Sequence, residues 1–213
     1  MNQVESRLQQ AYKLSKNLDR IENYPLELIE EWGAIDAKVI DELAERDFNV
    51  IFYRSQPINS FNEIRIEGLI SDFEGIDYLH TEPRLPIISK RMLSVLENVR
   101  DFPHQVIPVV IEDIEMSSFG DLDRSGKVNT DYVAVQLLEQ LDIFDRENSV
   151  YSLSSIIPNR VSHIEKLVLE VPESGLPPIF RIKDNRTYLY VSPEAKAALE
   201  EAGITGIRFV PID

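Results

Sequence analysis

The residues best spaced for chemistry in this chain are carboxylates. Asp121-Leu-Asp123-Arg-Ser125-Gly126 opens a stretch running to Tyr132, with oxygen-bearing side chains at its first, third and fifth positions and Gly at the sixth. That is the spacing of a calcium loop, whose odd positions supply oxygen ligands and whose glycine makes the sharp turn. Such a loop closes on a bidentate Glu, and Tyr132 stands in that place. The segment before it, Ile111 to Phe119, reads as strand and loop where an entering helix is required. Asp, Ser and Gly together also make an ordinary turn. Asp142 and Asp145 form a second pair, which a helix would place one turn apart on a shared face; capping the following loop is the simpler role. His80, His104 and His163 stand far apart in no metal-binding spacing. Ser89 and Ser192 lie outside a Gly-x-Ser-x-Gly elbow, and the eight glycines are scattered rather than gathered into a phosphate loop. Trp32, the single tryptophan, reads as a core anchor. No catalytic residue, cofactor or metal ligand set is assigned.

The charge suits either of two roles, plain solubility or a surface for a partner. Lys and Arg number 22 against 37 Asp and Glu, a net of −15, and residues 101–150 hold eleven acids against Arg124, Lys127 and Arg146. A chain so acidic repels nucleic acid and anionic membranes, which bind through basic side chains that release counterions. It can instead attract a basic protein partner and steer its association. With 213 residues and 43% hydrophobic content, a single domain with a sizeable core is expected, and disorder is not. There is no run of about 18 apolar residues to span a membrane. The opening Met1-Asn-Gln-Val-Glu-Ser-Arg lacks the features of a signal peptide, and Cys is absent. A cytoplasmic setting is the expectation.

The elements that position these residues include a unit that occurs twice. Pro86-Ile-Ile-Ser89 and Tyr188-Leu-Tyr-Val-Ser192 each lead into a helical pattern and then a second apolar run carrying a proline. The serine-to-proline separation is the same in both, 89 to 108 and 192 to 211, and Leu96 and Leu199 fall at the same offset. Ser after a strand is an N-cap, Pro193 suits the first helical position, and Gly203 and Gly206 end the second helix and turn the chain. Lys90 and Arg91 occupy the first turn of the other helix, where the dipole disfavours cations; they read as solvated charges or a partner contact. Val4, Leu8, Ala11, Leu14, Leu18 and Ile21 suggest an amphipathic helix over 3–22, and a second helical pattern covers 34–46. Glu63 to Glu67 and Gln105 to Ile111 read as strands and 117–130 as a loop; over Tyr132 to Leu141 a helix is favoured by Val133, Leu137 and Leu141, while Tyr132-Val-Ala-Val suits a strand. Phe180 to Val191 reads as a hairpin around Asp184-Asn185. The expected fold class is α+β: a mixed sheet with two strand-Ser-helix-strand units and an N-terminal helical segment. Residues 1–213 form one domain, with 1–47 its helical part and 48–213 its α+β body.

Three segments resemble, in order, a family of bacterial immunity proteins from polymorphic toxin systems, formerly a domain of unknown function. They are Pro86-Ile-Ile-Ser89 with its helix and Ile107-Pro-Val; Tyr132-Val-Ala-Val with Asp142-Ile-Phe-Asp145 and Ser149; and Ile179 through Gly203-Ile-Thr-Gly206-Ile-Arg-Phe. The resemblance covers roughly residues 85–213. It implies a protein that binds and neutralises a cognate toxin domain by contact and without turnover, and the charge suits a basic one. Asp121, Asp123, Asp142, Asp145 and Glu147 are the expected partner contacts. The alternative is a small enzyme or metal-binding protein using Asp121, Asp123, Asp142 and Asp145.

Overall fold

The computed structural model describes residues 10–16, 38–39, 55–59, 62–79, 86–116 and 122–212. In chain order these form β1 (Tyr12–Lys16), β2 (Lys38–Val39), β3 (Ile64–Gly68), α1 (Ile70–Phe73), β4 (Tyr78–Leu79), β5 (Ile87–Ser89), α2 (Lys90–Val99), β6 (His104–Met116), β7 (Leu122–Leu137), β8 (Val150–Leu153), β9 (Val161–Lys166), β10 (Ile179–Ile182), β11 (Asn185–Val191), α3 (Pro193–Glu201) and β12 (Ile207–Pro211). The described residues are mostly β, with 46% of them in strands and 15% in helices. This corrects the α+β expectation, and its N-terminal helical segment in particular. Tyr12–Lys16 is a strand, and Lys38–Val39 is a strand within the second supposed helix. The rest of both patterns, and the boundary at 47/48, lie outside the described residues.

β1 is a strand rather than the expected helix because of where it lies. It is the inner strand of a four-stranded sheet ordered β10-β11-β1-β12. A strand covered on both faces buries successive residues in opposite directions, so its apolar spacing loses the clean alternation of a half-exposed strand. Ala11 packs with Phe180 and Tyr190, while Leu14 packs with α2 and α3 on the other face. The same physics overturns the helix expected over Tyr132 to Leu141. Tyr132 through Leu137 are all buried, and they form the end of β7 inside a six-stranded sheet ordered β2-β3-β6-β7-β5-β4. Tyr132 and Ala134 enter one core, with Ile64, Ile66, Ile107, Val109 and Ile111. Val133, Val135 and Leu137 enter another, around Met92, Leu96 and Leu199. The expected loop over 117–130 is likewise strand from Leu122 onward.

The two serine-capped helices belong to units of identical topology. β5 and β6 both pair antiparallel with β7, so the strands joined by α2 are parallel with an antiparallel strand between them. β11 and β12 flank β1 in the same way, joined by α3. Val133 pairs with Ile88 on one side and Pro108 on the other. Tyr12 pairs with Val191 and Pro211. Counted from the capping serines, Ile88 matches Val191 and Pro108 matches Pro211, so the register is also the same. Among the described residues both prolines sit where a strand has one neighbour: the pairing of β6 with β3 begins only at Val109, and β12 lies at the edge of its sheet. Ser89 Oγ accepts from Met92 N at 3.0 Å and Ser192 Oγ from Ala195 N at 3.1 Å, satisfying first-turn donors. The two helices pack together, and one face of each sheet closes over them.

Candidate functional site

The expected acidic contacts do not gather at one place. Asp121 lies outside the described residues. Asp123 is in β7 opposite Glu115, in the six-stranded sheet. Asp142 and Asp145 follow β7 on a non-helical segment tied by bridges at Leu141 to Ile182 and at Phe144 to Leu169. The shared helical face expected for them is therefore not formed. Asp142 is exposed and receives Lys183 Nζ at 2.9 Å. Asp145 caps a turn: its Oδ1 accepts from Glu147 N at 3.0 Å and Asn148 N at 2.9 Å, and its Oδ2 from Asn148 Nδ2 at 2.6 Å. The Asn148 side chain, with help from the backbone amides, holds its carboxyl below the ordinary value. Glu147 is exposed beside it.

The calcium-loop spacing is carried by a strand with a glycine irregularity. Leu122 to Tyr132 runs along β7, with Gly126 at φ 78°. Ser125 Oγ donates to Asp113 Oδ2 at 2.7 Å, and Asn129 Oδ1 accepts from Asp131 N at 2.8 Å. Tyr132, at the closing position, is buried with its hydroxyl 2.8 Å from Phe73 O and 2.7 Å from Ile76 O. Burial, with Asp77 and Asp131 nearby, pushes its pKa up to about 12. His104 stacks on Phe102, with ring centroids 4.2 Å apart, and His163 is exposed on β9. His80 and Trp32 lie outside the described residues. No group of three or more potential metal ligands occurs among the described residues.

A dense polar constellation that no expectation from the sequence included is centred on buried Asp77. Its Oδ1 accepts from Ser89 Oγ at 2.6 Å and Arg91 Nε at 3.1 Å. Its Oδ2 accepts from Arg91 Nη2 at 2.5 Å and Thr205 N at 2.9 Å. Burial alone would raise the pKa of this carboxyl, but the bonds from Arg91, Ser89 and Thr205 outweigh it and hold it below the ordinary value. Arg91 also reaches Ala202 O at 3.1 Å and Gly203 O at 3.2 Å. A cation disfavoured at the start of its own helix is thus favoured at the end of the neighbouring one. Gly206 completes the seam, because a side chain there would meet Tyr78 O at 2.8 Å. Every one of these groups is spent on joining the two units, so the constellation is structural. Its one sequence signal was the odd placement of Arg91.

A second region has groups to spare. The β8–β9 hairpin forms a two-stranded sheet of its own, with Leu153, Ile156 and Ile157 exposed and Ile156 at 87%. Below it, a cleft of about 1270 Å³ runs from Ile157 and Arg160 along β9 to Asp142, Lys183 and Tyr188. Arg146 pairs with Asp184 at its rim. This surface combines exposed apolar side chains with charges of both signs. No protein-family model and no curated protein matches the sequence.

Proposed function

We propose that this chain is a cytoplasmic immunity protein that binds and neutralises a cognate basic toxin domain by direct contact. The observation that carries this reading is the exposed hairpin, with its isoleucine tip above a wide, mixed-charge cleft. Monomeric surfaces rarely leave clustered aliphatic side chains in water, and contact sites are built around such anchors with a polar rim. The net charge of −15 supports attraction of a basic partner from a distance. The ordered resemblance over residues 85–213 supplies the kind of partner. Of the acids expected to touch it, Asp142 and Glu147 keep exposed carboxylates, and Asp142 lines the same cleft as Ile157. The enzyme or metal-binding alternative gains nothing from the geometry, because Asp123 and the Asp142–Asp145 pair belong to different parts of the fold.

The test is co-expression with the toxin domain encoded beside this gene. Survival is expected with the wild-type chain, together with a complex whose association slows as salt rises past the point where screening acts within about 8 Å. Ile156→Asp should weaken protection without lowering the melting temperature, since that side chain is exposed. Cell death regardless of this protein would sink the reading.

A further inference from the structure

We infer that the cleft below the hairpin takes an extended acidic segment of the partner, laid along the open edge of β9; this deepens the toxin-binding reading and rests on it. In a chain with a net charge of −15, the cleft is locally cationic: Lys13, Arg146, Arg160, Lys183 and Arg186 line it against Asp142, Glu165 and Asp184. Two of the five cations are already neutralised, Arg146 by Asp184 and Lys183 by Asp142. The other three have weaker attachments. Lys13 Nζ lies 4.6 Å from the centre of the Tyr188 ring, and Arg186 Nε donates to Lys183 O at 3.2 Å. Arg160 is exposed at the end of the hairpin loop, with no side-chain ion pair among the described residues. Among the lining residues only Glu165 is left to oppose these three, so the surplus there is positive.

Size and backbone then choose the ligand class. At about 1270 Å³ the cleft exceeds the roughly 300–1,000 Å³ of a small-molecule site. Val161 through Glu165 all line it, and among the described residues β9 pairs only with β8. An edge strand offers unpaired amides and carbonyls that an incoming extended segment can complete, with specificity read by its alternate side chains. Carboxylates at those positions would meet Arg160 and Arg186. A nucleic acid, with a charge every ~1.7 Å, would be repelled by the rest of the molecule. A short acidic segment on an otherwise basic protein is drawn by both the whole and the part.

The probe is a fluorescein-labelled peptide of alternating Val and Glu, followed by anisotropy at low salt with the full chain. It should bind, a Val–Lys counterpart should not, and Arg160→Glu with Arg186→Glu should weaken binding by about tenfold or more. Arg160→Ala alone should weaken it less, and Lys90→Glu, on α2 and outside the cleft lining, should leave it unchanged. Melting curves check that each variant folds. The inference is overturned if the acidic peptide does not bind, if the double reversal binds as well as wild type, if Lys90→Glu weakens binding equally, or if a single strand of about twelve thymidines binds more tightly. None of these measurements uses the toxin. Protection without peptide binding would sink this inference alone, and peptide binding without protection would sink the toxin reading alone.

Discussion

The two strand-helix-strand units share topology and register but solve their helix ends differently. The α3 unit is locally ideal, with Ser192 as cap, Pro193 at the first helical position, Glu194 in the first turn and Gly203 just beyond the end. The α2 unit has the serine cap but no acidic residue in its first turn, and Arg100 follows its end in extended conformation. Its local shortfall is the counterpart of a long-range role. Lys90 and Arg91 stand where an acid would help α2, and Arg91 is bound instead to Asp77 and to the carbonyls ending α3. A residue that breaks a local helix rule can therefore mark where one part of a fold is fastened to another.

The equivalence of the units is tested most severely through their cores. Leu96 and Leu199 occupy matching positions, and both are fully buried in the shared core around the helices. Leu96→Ala and Leu199→Ala should each cost about 2–5 kcal/mol, measured by chemical denaturation. A large effect at one and almost none at the other would break the equivalence.

Next comes the seam. Asp77→Ala strands a serine, an arginine and a backbone amide, and should cost about 3 kcal/mol. The pH dependence has a fixed sign. A folded-state pKa held below the unfolded value gives stability that is fully present above that unfolded value and is lost as pH falls through the folded one. The melting temperature of the wild type should therefore drop more steeply below about pH 4 than that of Asp77→Asn. Parallel curves would show that Arg91, Ser89 and Thr205 do not favour the ionised carboxyl.

The smallest contrast is between the caps. Ser192→Ala should cost about 1 kcal/mol for the lost bond to Ala195 N. Ser89→Ala should cost about 2 kcal/mol, because that hydroxyl also donates to Asp77. Equal costs would mean that the hydroxyl bond to Asp77 adds nothing.

What could be read in the sequence was chemistry confined to a few neighbouring residues. The serine caps, Pro193, the glycines after α3 and the hairpin of β10 and β11 each announce themselves within one turn. Strands buried on both faces were not legible: Ala11 and Leu14 enter different cores, and Tyr132 to Leu137 are apolar throughout, so neither the period of two nor that of 3.6 decides. The fold class failed on those two segments. The Asp77 constellation was hidden because Thr205 lies 128 residues away from it. The cleft cations were hidden in the same way, since Lys13, Arg160 and Arg186 come from three distant segments with no shared pattern.

The placement of β1 also sets an order of events during synthesis. This strand leaves the ribosome well before its neighbours β11 and β12, with the elements from β2 to β10 made in between. Until residue 211 emerges, Tyr12–Lys16 has a vacant edge on at least one side, held open by a loop that contains every element from β2 to β11. Closing so long a loop is slow, and the waiting strand is exposed to wrong pairings with other chains. A nascent chain stalled before β12 has its six-stranded sheet fully synthesised but its smaller sheet open, and chaperones would meet the molecule in that form.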